Sequence, residues 1–371
     1  MANSIQKAAQ IIKDKNLSAE LVPLPKAPDR NSLLWWMAKY FHEYATGTPR
    51  TLKFKAQDLK HFYEWYASFK GHDRIGDWSR ATTNAYLDWL RKEKTAQSQG
   101  NKKAGDRRWA NRSINRKLDH LKGFSKWIRA QVPSPIPSNP MENIKRLDVP
   151  ALEAKRISPE DLEALTTAAL HLVGTECRLD QKRFKHGEAP LRKTSRPFRD
   201  YAIFALLKGS GLRISEVCNL DLKQLKLKRL EKVITKGAQE RTVVISQEAY
   251  QALKQYIESE REDDAKEWEN PPALFLTIPQ TGKLHKGADG RMSPATAWNV
   301  IKKIARRALG KDGARRIHPH LFRHHVGYVM NERGGITAVQ KQLGHKNIAY
   351  SAVYSQRTEE ELEGYLDGGG L

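Results

Sequence analysis

Apolar residues recur at helical spacing along four stretches near the start of the chain. Leu34, Trp35, Phe41 and Tyr44 mark the first, and Leu52, Ala56, Leu59, Phe62, Tyr63 and Tyr66 the second, with Thr48-Pro49 breaking the pattern between them. A third begins near Ser79, with Ser79 or Thr82 as its cap, and carries Tyr86, Leu87 and Leu90. The fourth begins near Ser113 and lines up Ile114, Leu118, Leu121, Phe124 and Ile128. Residues 1–30, which end in Pro23, Pro25 and Pro28, hold no sustained period and predict a short helix plus an extended arm. The periodicity fails again over 131–158, where Pro133, Pro135, Pro137 and Pro140 cluster and 145–156 is polar; this is the strongest boundary in the chain.

Helical spacing resumes at Ser158-Pro159, with serine as cap and proline in the first turn, and continues through Leu162, Leu165 and Ala169. The polar, basic stretch 174–197 shows no period. An apolar helix over Arg199–Leu207 stops at Gly209-Ser210-Gly211. Two β-like runs, Leu225–Ile234 and Arg241–Ile245, flank a turn that presents Lys236 and predict a hairpin. Gln247–Glu258 is helical, Leu274–Leu276 a short strand, and Ser293-Pro294 opens a basic helix reaching Leu309. The pattern predicts a mainly α protein with a small β-hairpin or sheet. Its parts are an arm (1–30), a helical domain (31–144), a linker (145–157) and an α+β domain (158–371).

Charge adds a partner to this outline. The chain of 371 residues has 65 Lys+Arg against 42 Asp+Glu, a net +23, which points to a polyanion. Residues 101–130 hold ten basic residues and only Asp106 and Asp119 as acids, whereas a solvated helix mixes its signs. Lys102, Lys103, Arg107, Arg108, Arg112, Arg116, Lys117, Lys122 and Lys126 are therefore the candidate phosphate contacts to duplex DNA. Trp35, Trp65, Trp89 and Trp127 fall near helical core positions, and packing is the better reading for them than base stacking. No apolar run is long enough to span a bilayer, and Met1–Lys15 lacks a secretory core. Cys177 and Cys218 give neither a disulfide framework nor a zinc spacing, so an intracellular, reduced, soluble protein is expected.

The stretch from His318 to Tyr354 concentrates imidazoles, a guanidinium and a phenol, with no carboxylate from His318 to Asn331. Breaking and rejoining a phosphodiester requires cations at the non-bridging oxygens, a nucleophile, a base and an acid. Arginine suits the first role because its planar fork binds two oxygens and stays charged. Arg213 follows a glycine pair, with Glu216 one turn on to orient it, while His320 and Arg323 share a helix face. Lys236 on its turn can protonate a leaving oxygen, and Tyr354 can attack if a base and cations adjoin it. Each signal is weak alone; their order is not.

That ordered set resembles the tyrosine recombinase (phage integrase) family. The matching stretches are Gly211-Leu212-Arg213-Ile214-Ser215-Glu216, Thr235-Lys236-Gly237 to Glu240-Arg241, His320-Leu321-Phe322-Arg323-His324, and Leu343-Gly344-His345 followed by Tyr354. The resemblance implies a two-domain clamp on DNA, with an N-terminal helical core-binding domain and a C-terminal catalytic domain. It casts Tyr354 as the nucleophile of a 3′-phosphotyrosine intermediate, Arg213 and Arg323 as phosphate clamps, and Glu216 as support for Arg213. His320 becomes the proton acceptor, Lys236 the acid, and His345 a donor to a non-bridging oxygen. It further implies no cofactor or metal, a homotetramer that passes through a Holliday junction, tail exchange through a short helix over Thr358–Leu366, and in some members an accessory DNA-bending protein.

Phe322 and His325 depart from the leucine and threonine usual in the family, and 174–197 is longer than in minimal members. Three rivals remain. A metal-dependent hydrolase using His318, His320, His324 and His325 lacks a nearby carboxylate before Glu332. A DNA-binding module of the same fold without the reaction and a type IB topoisomerase are the other two.

Overall fold

In a computed structural model of the chain, the residues described are 29–93, 108–149, 156–185 (backbone only beyond Thr175), 195–235, 239–266, 268–278, 289–345 and 347–355. The chain divides into two compact units, Met1–Ala151 and Leu152–Leu371. No helix among the described residues is long and apolar enough to cross a membrane.

The first unit packs four helices, α1 (Leu33–Glu43), α2 (Pro49–Lys70), α3 (Arg80–Lys92) and α4 (Asn111–Arg129). Ser32, Thr48 and Ser79 cap the first three, each side chain accepting a backbone N–H three residues on. In α1 the buried stripe is Leu33, Trp36, Met37 and Tyr40, one position away from the stripe read in the sequence, and Tyr44 is exposed. Leu33, Trp36, Met37 and Tyr40 complete the i, i+3, i+4, i+7 set, which is what a packed helix face requires. The core is aromatic: Phe62, Trp78, Tyr86 and Phe124 are fully buried, with Trp36, Trp65 and Trp127 beside them. The tryptophans are packing residues, as their spacing suggested.

The basic segment is corrected at Lys117. Its side chain is buried, 3.3 Å from Asp58 Oδ1 and over the Trp109 ring at 4.3 Å, so it cannot lie against DNA. Arg116, whose side chain is 40% exposed, gives two hydrogen bonds to Asp58 at 2.9 and 3.0 Å, and His120 Nδ1 is 2.8 Å from the same carboxylate. An ammonium this close to the apolar stripe is stable only if an anion meets it there. Arg108, Arg112, Lys122 and Lys126 are exposed, while Lys102, Lys103 and Arg107 lie outside the described residues.

Burial alone would raise the Asp58 pKa, but bonds from His120 and Arg116 and the charge of Lys117 outweigh it and hold the carboxyl at about 2. Asp58→Ala should cost about 3–5 kcal/mol in urea unfolding at pH 7, because Lys117 is left buried without its counter-ion. Asp58's folded pKa is depressed, so this stabilisation is complete above the unfolded carboxylate pKa, about 3.9. It fades as pH falls toward about 2, and the gap between variant and wild type should narrow across that window. An unchanged gap from pH 7 to 2 would sink the assignment.

The second unit is built round α6 (Pro197–Ser210), in which Ala202 to Leu207 are all fully buried. A helix apolar on every side belongs at the centre. Around it stand α5 (Pro159–Lys185), α7 (Ile214–Cys218), α8 (Gln247–Tyr256), α9 (Glu262–Ala265), α10 (Pro294–Arg316), α11 (Pro319–Leu343) and α12 (Ala349–Ala352). α5 runs on through the start of the stretch that showed no period, and Gly310 and Gly335 break α10 and α11 with φ of 69° and 68°.

One antiparallel sheet holds β1 (Leu225–Lys226), β2 (Arg229–Ile234) and β3 (Glu240–Val244) in that order. The first β-like run splits because Leu227 turns left-handed at φ 52°. Leu230 pairs with Val243 and Val233 with Arg241, across an irregularity between them. Thr235 N–H donates to the Gln239 carbonyl at 2.8 Å and closes the hairpin, whose tip at Lys236 lies outside the described residues. The expected strand at Leu274–Leu276 is reduced to isolated bridges, Asp221 with Ala273 and Leu276 with Arg291.

Candidate active site

α6 ends at Gly211, which is left-handed at φ 70°. A Cβ there would sit 2.8 Å from Leu343 Cδ2 and 3.1 Å from Val326, so both the conformation and the space call for glycine. The turn places Arg213 at the N-cap of α7. Glu216 accepts the Arg213 backbone N–H at 2.9 Å and its Nη1 at 2.7 Å. Arg213 is thus aimed from both ends by one carboxylate, as the i, i+3 spacing suggested.

Glu216 has a second partner. Arg241, on β3, donates to Oε2 at 3.0 Å and to Oε1 at 3.3 Å. The sequence carried a signal for this residue that went unused: Arg241, Val243 and Ile245 alternate onto one buried face of the hairpin, so the arginine points inward. Burial alone would raise the Glu216 pKa; hydrogen bonding and charge from Arg241, then Arg213, reverse this and lower it. The carboxylate therefore stays ionised between two guanidinium groups.

Arg323, in α11, is 1% exposed. Its Nη1 donates to the Gly211 carbonyl at 2.9 Å and its Nη2 to the Leu343 carbonyl at 2.7 Å. Those residues flank Arg213 on one side and His345 on the other, so one fork ties both stretches together. Three of the five guanidinium N–H donors remain for an incoming oxygen. Burial, then the charge of Arg213, lowers the Arg323 pKa to about 10, and it is still a cation at neutral pH.

α11 stops at Gly344, and the next residue, His345, places Nδ1 2.8 Å from Ser351 Oγ. Its ring lies nearly parallel to Tyr354, with an interplanar angle of 12° at 6.2 Å. Burial, then the charges of Arg323 and Arg213, brings its pKa to about 4, so it is neutral and can present one N–H. Tyr354 itself is 3% exposed, and Tyr328 meets its ring edge-on at 5.4 Å. Burial raises the phenol pKa, while the charges of Arg323 and Arg213 act against that rise.

The imidazole bonded to the Tyr354 hydroxyl is His324, with Nδ1 at 3.1 Å. His320 is exposed and touches His324 edge-on at 4.6 Å. Partial desolvation and the Arg323 charge lower its pKa. His318 stacks on Trp298 with ring centroids 6.4 Å apart. The structure therefore gathers Arg213, Glu216, His320, Arg323, His345 and Tyr354 into one centre and adds Arg241 and His324 to it. Two arginines, two neutral imidazoles and a buried phenol on a helical scaffold form a cationic pocket whose groups suit phosphoryl transfer.

Comparison with known proteins agrees with that class. The family model described as "Phage integrase family" matches residues 178–361. The chain is 30% identical to tyrosine recombinase XerC of Chromobacterium violaceum over 261 residues, 70% of this chain and 74% of that protein. It is 34% identical to tyrosine recombinase XerA of Thermococcus onnurineus over 167 residues, 44% of this chain and 53% of the relative. The chain thus spans about half the length of the archaeal relatives it matches, with 52% for XerA of Pyrococcus horikoshii. The fold is similar to the crystal structure of the XerH site-specific recombinase bound to a palindromic difH substrate. In that comparison the TM-score is 0.60 and identity 15%, covering 98% of this chain and 95% of that one. The chain belongs to the tyrosine recombinase (phage integrase) family.

Proposed function

We propose that the protein is a site-specific DNA recombinase that cleaves and rejoins duplex DNA through a 3′-phosphotyrosine. The observation that carries this reading is the Tyr354 hydroxyl, held by an imidazole 3.1 Å away and lying in the field of Arg213 and Arg323. Arg213 and Arg323 receive the non-bridging oxygens, His345 donates to one of them, and His320 serves proton transfer. Lys236 protonates the departing 5′-oxygen. The phosphotyrosine conserves the bond energy, so the exchange requires neither ATP nor a metal.

Recombination of two sites takes four protomers and a Holliday junction, with the first unit as the core-binding domain that positions DNA through its exposed basic residues. Arg108, Arg112, Lys122 and Lys126 are the contacts favoured there, with an accessory DNA-bending protein where the site needs one. A mobile element or plasmid in the cytoplasm, at the nucleoid, is the setting this reading favours. Tail exchange has support of its own. A cavity of about 810 Å³ in the second unit is lined by Val326, Val329 and Met330, with Lys208, Arg229 and Lys341 among its cations. The segment after Tyr354 carries Glu359, Glu360, Glu361 and Glu363 beside Leu362 and Leu366. Apolar side chains and opposite charge suit that cavity to a neighbour's tail.

The test is a pool of randomised, nicked duplexes incubated with the protein in EDTA. An SDS-resistant adduct on a recurrent sequence, and joining of two duplexes that carry it, are expected. No adduct leaves the DNA-binding module as the answer, loss of cleavage in EDTA leaves the hydrolase, and relaxation of any plasmid without joining leaves the topoisomerase.

A further inference from the structure

We propose that His324 is the immediate proton acceptor for Tyr354, with His320 next in line rather than first. This rests on the phosphotyrosine reading and assigns a residue to it. The geometry begins with one face of α11. His320, His324, Gly327, Tyr328 and Asn331 follow one another at i, i+4, i+7, i+8 and i+11 and form a single stripe toward Tyr354.

Gly327, Tyr328 and Asn331 fix the phenol. A Cβ on Gly327 would lie 2.6 Å from Tyr354 Cε1 and Cζ, so the ring rests directly on the helix backbone. Asn331 Nδ2 donates to the Tyr354 carbonyl at 3.0 Å, and Tyr328 and His345 close the remaining sides of the ring. Held this way, the hydroxyl meets His324 Nδ1 at 3.1 Å. His320 makes its ring contact with His324 instead, at 4.6 Å.

His324 is also in the right protonation state. Burial, followed by the charges of His320, His318 and Arg323, brings its pKa to about 4, so at pH 7 the ring is neutral. With its proton on Nε2, Nδ1 is an acceptor. A DNA phosphate arriving beside Arg323 offsets its charge and raises the basicity of the ring when the proton must move.

The step balances. The Oη–H bond breaks and the proton passes to His324 Nδ1. The phenolate oxygen forms its bond to phosphorus as the P–O5′ bond breaks, and the 5′-oxygen takes a proton from the acid at Lys236. On religation the 5′-hydroxyl returns its proton and His324 restores the phenol.

The test uses the full chain and a nicked duplex carrying the recurrent sequence, in single-turnover cleavage. His324→Asn puts an amide oxygen near the position of Nδ1, so it accepts a hydrogen bond but takes no proton. Cleavage should slow by about 10²–10⁴-fold with DNA affinity unchanged, the range for a lost general base. Replacing Tyr354 with 3,5-difluorotyrosine, a more acidic phenol, should restore at least about tenfold of that loss and flatten the pH profile, in line with Brønsted behaviour. A merely structural histidine would not respond to nucleophile acidity. Cleavage within about threefold of wild type, or a loss that difluorotyrosine does not relieve, overturns the proposal. His324→Gln repeats the measurement if the asparagine variant is unstable. Absence of any adduct in the wild type would instead remove the phosphotyrosine reading beneath it.

Discussion

Tyr354→Phe is expected to abolish the SDS-resistant adduct altogether while the protein keeps its fold and its DNA affinity. The substitution removes one oxygen and nothing else. The ring's parallel contact with His345, its edge contact with Tyr328 and its seat on Gly327 all persist in phenylalanine. The lost hydroxyl makes one hydrogen bond, to His324, so the stability cost should be about 1 kcal/mol, read from urea unfolding. Burial already keeps the phenol protonated in the resting protein, so the charge of the pocket is unchanged by its removal. A denaturing gel of the suicide-duplex reaction gives the answer. Residual adduct in Tyr354→Phe would mean that another residue attacks, and a collapse of the fold would mean that the hydroxyl is a structural pin.

The helix starts were legible because their signals are local. Thr48-Pro49, Ser79, Ser158-Pro159 and Ser293-Pro294 each open a helix where the sequence placed one. The Arg213–Glu216 pair was legible for the same reason, since three residues on a helix set the contact. What the sequence hid were partners far along the chain. Nothing near Lys117 announces that Asp58, 59 positions away, will take its ammonium, and the run of cations read as a surface. Nor could Arg323 be known to spend donors on the carbonyls of Gly211 and Leu343, because backbone groups carry no mark in a sequence. His324 was visible as the neighbour of Arg323, but its distance from the phenol depends on where the chain returns after Gly344. The β1–β2 split at Leu227 turned on a single left-handed residue whose type gives no warning.

Arg323→Lys is the second expected loss, and it separates two tasks that the side chain performs together. The formal charge survives the substitution, so a charge-only role predicts a mild defect. The structure predicts a severe one. A lysine ammonium is a single point on a flexible stem and cannot reach both the Gly211 and Leu343 carbonyls while leaving donors aimed at an oxygen. At least one buried carbonyl loses its partner, which should cost about 1–3 kcal/mol. The turn that sets Arg213 and the turn that sets His345 are then free to part. Removing one preorganised donor from an oxyanion site costs about 10²–10³ in rate, and here that loss combines with displacement of the two neighbours. Single-turnover cleavage should therefore fall by at least about 10³-fold, with most of the DNA affinity retained through the first unit. Arg213→Lys is the useful comparison, because its guanidinium is partly exposed and donates to Glu216 rather than bridging two backbones. If Arg323→Lys unfolds no earlier than Arg213→Lys, then the fork is a phosphate clamp alone and the two turns are held by something else.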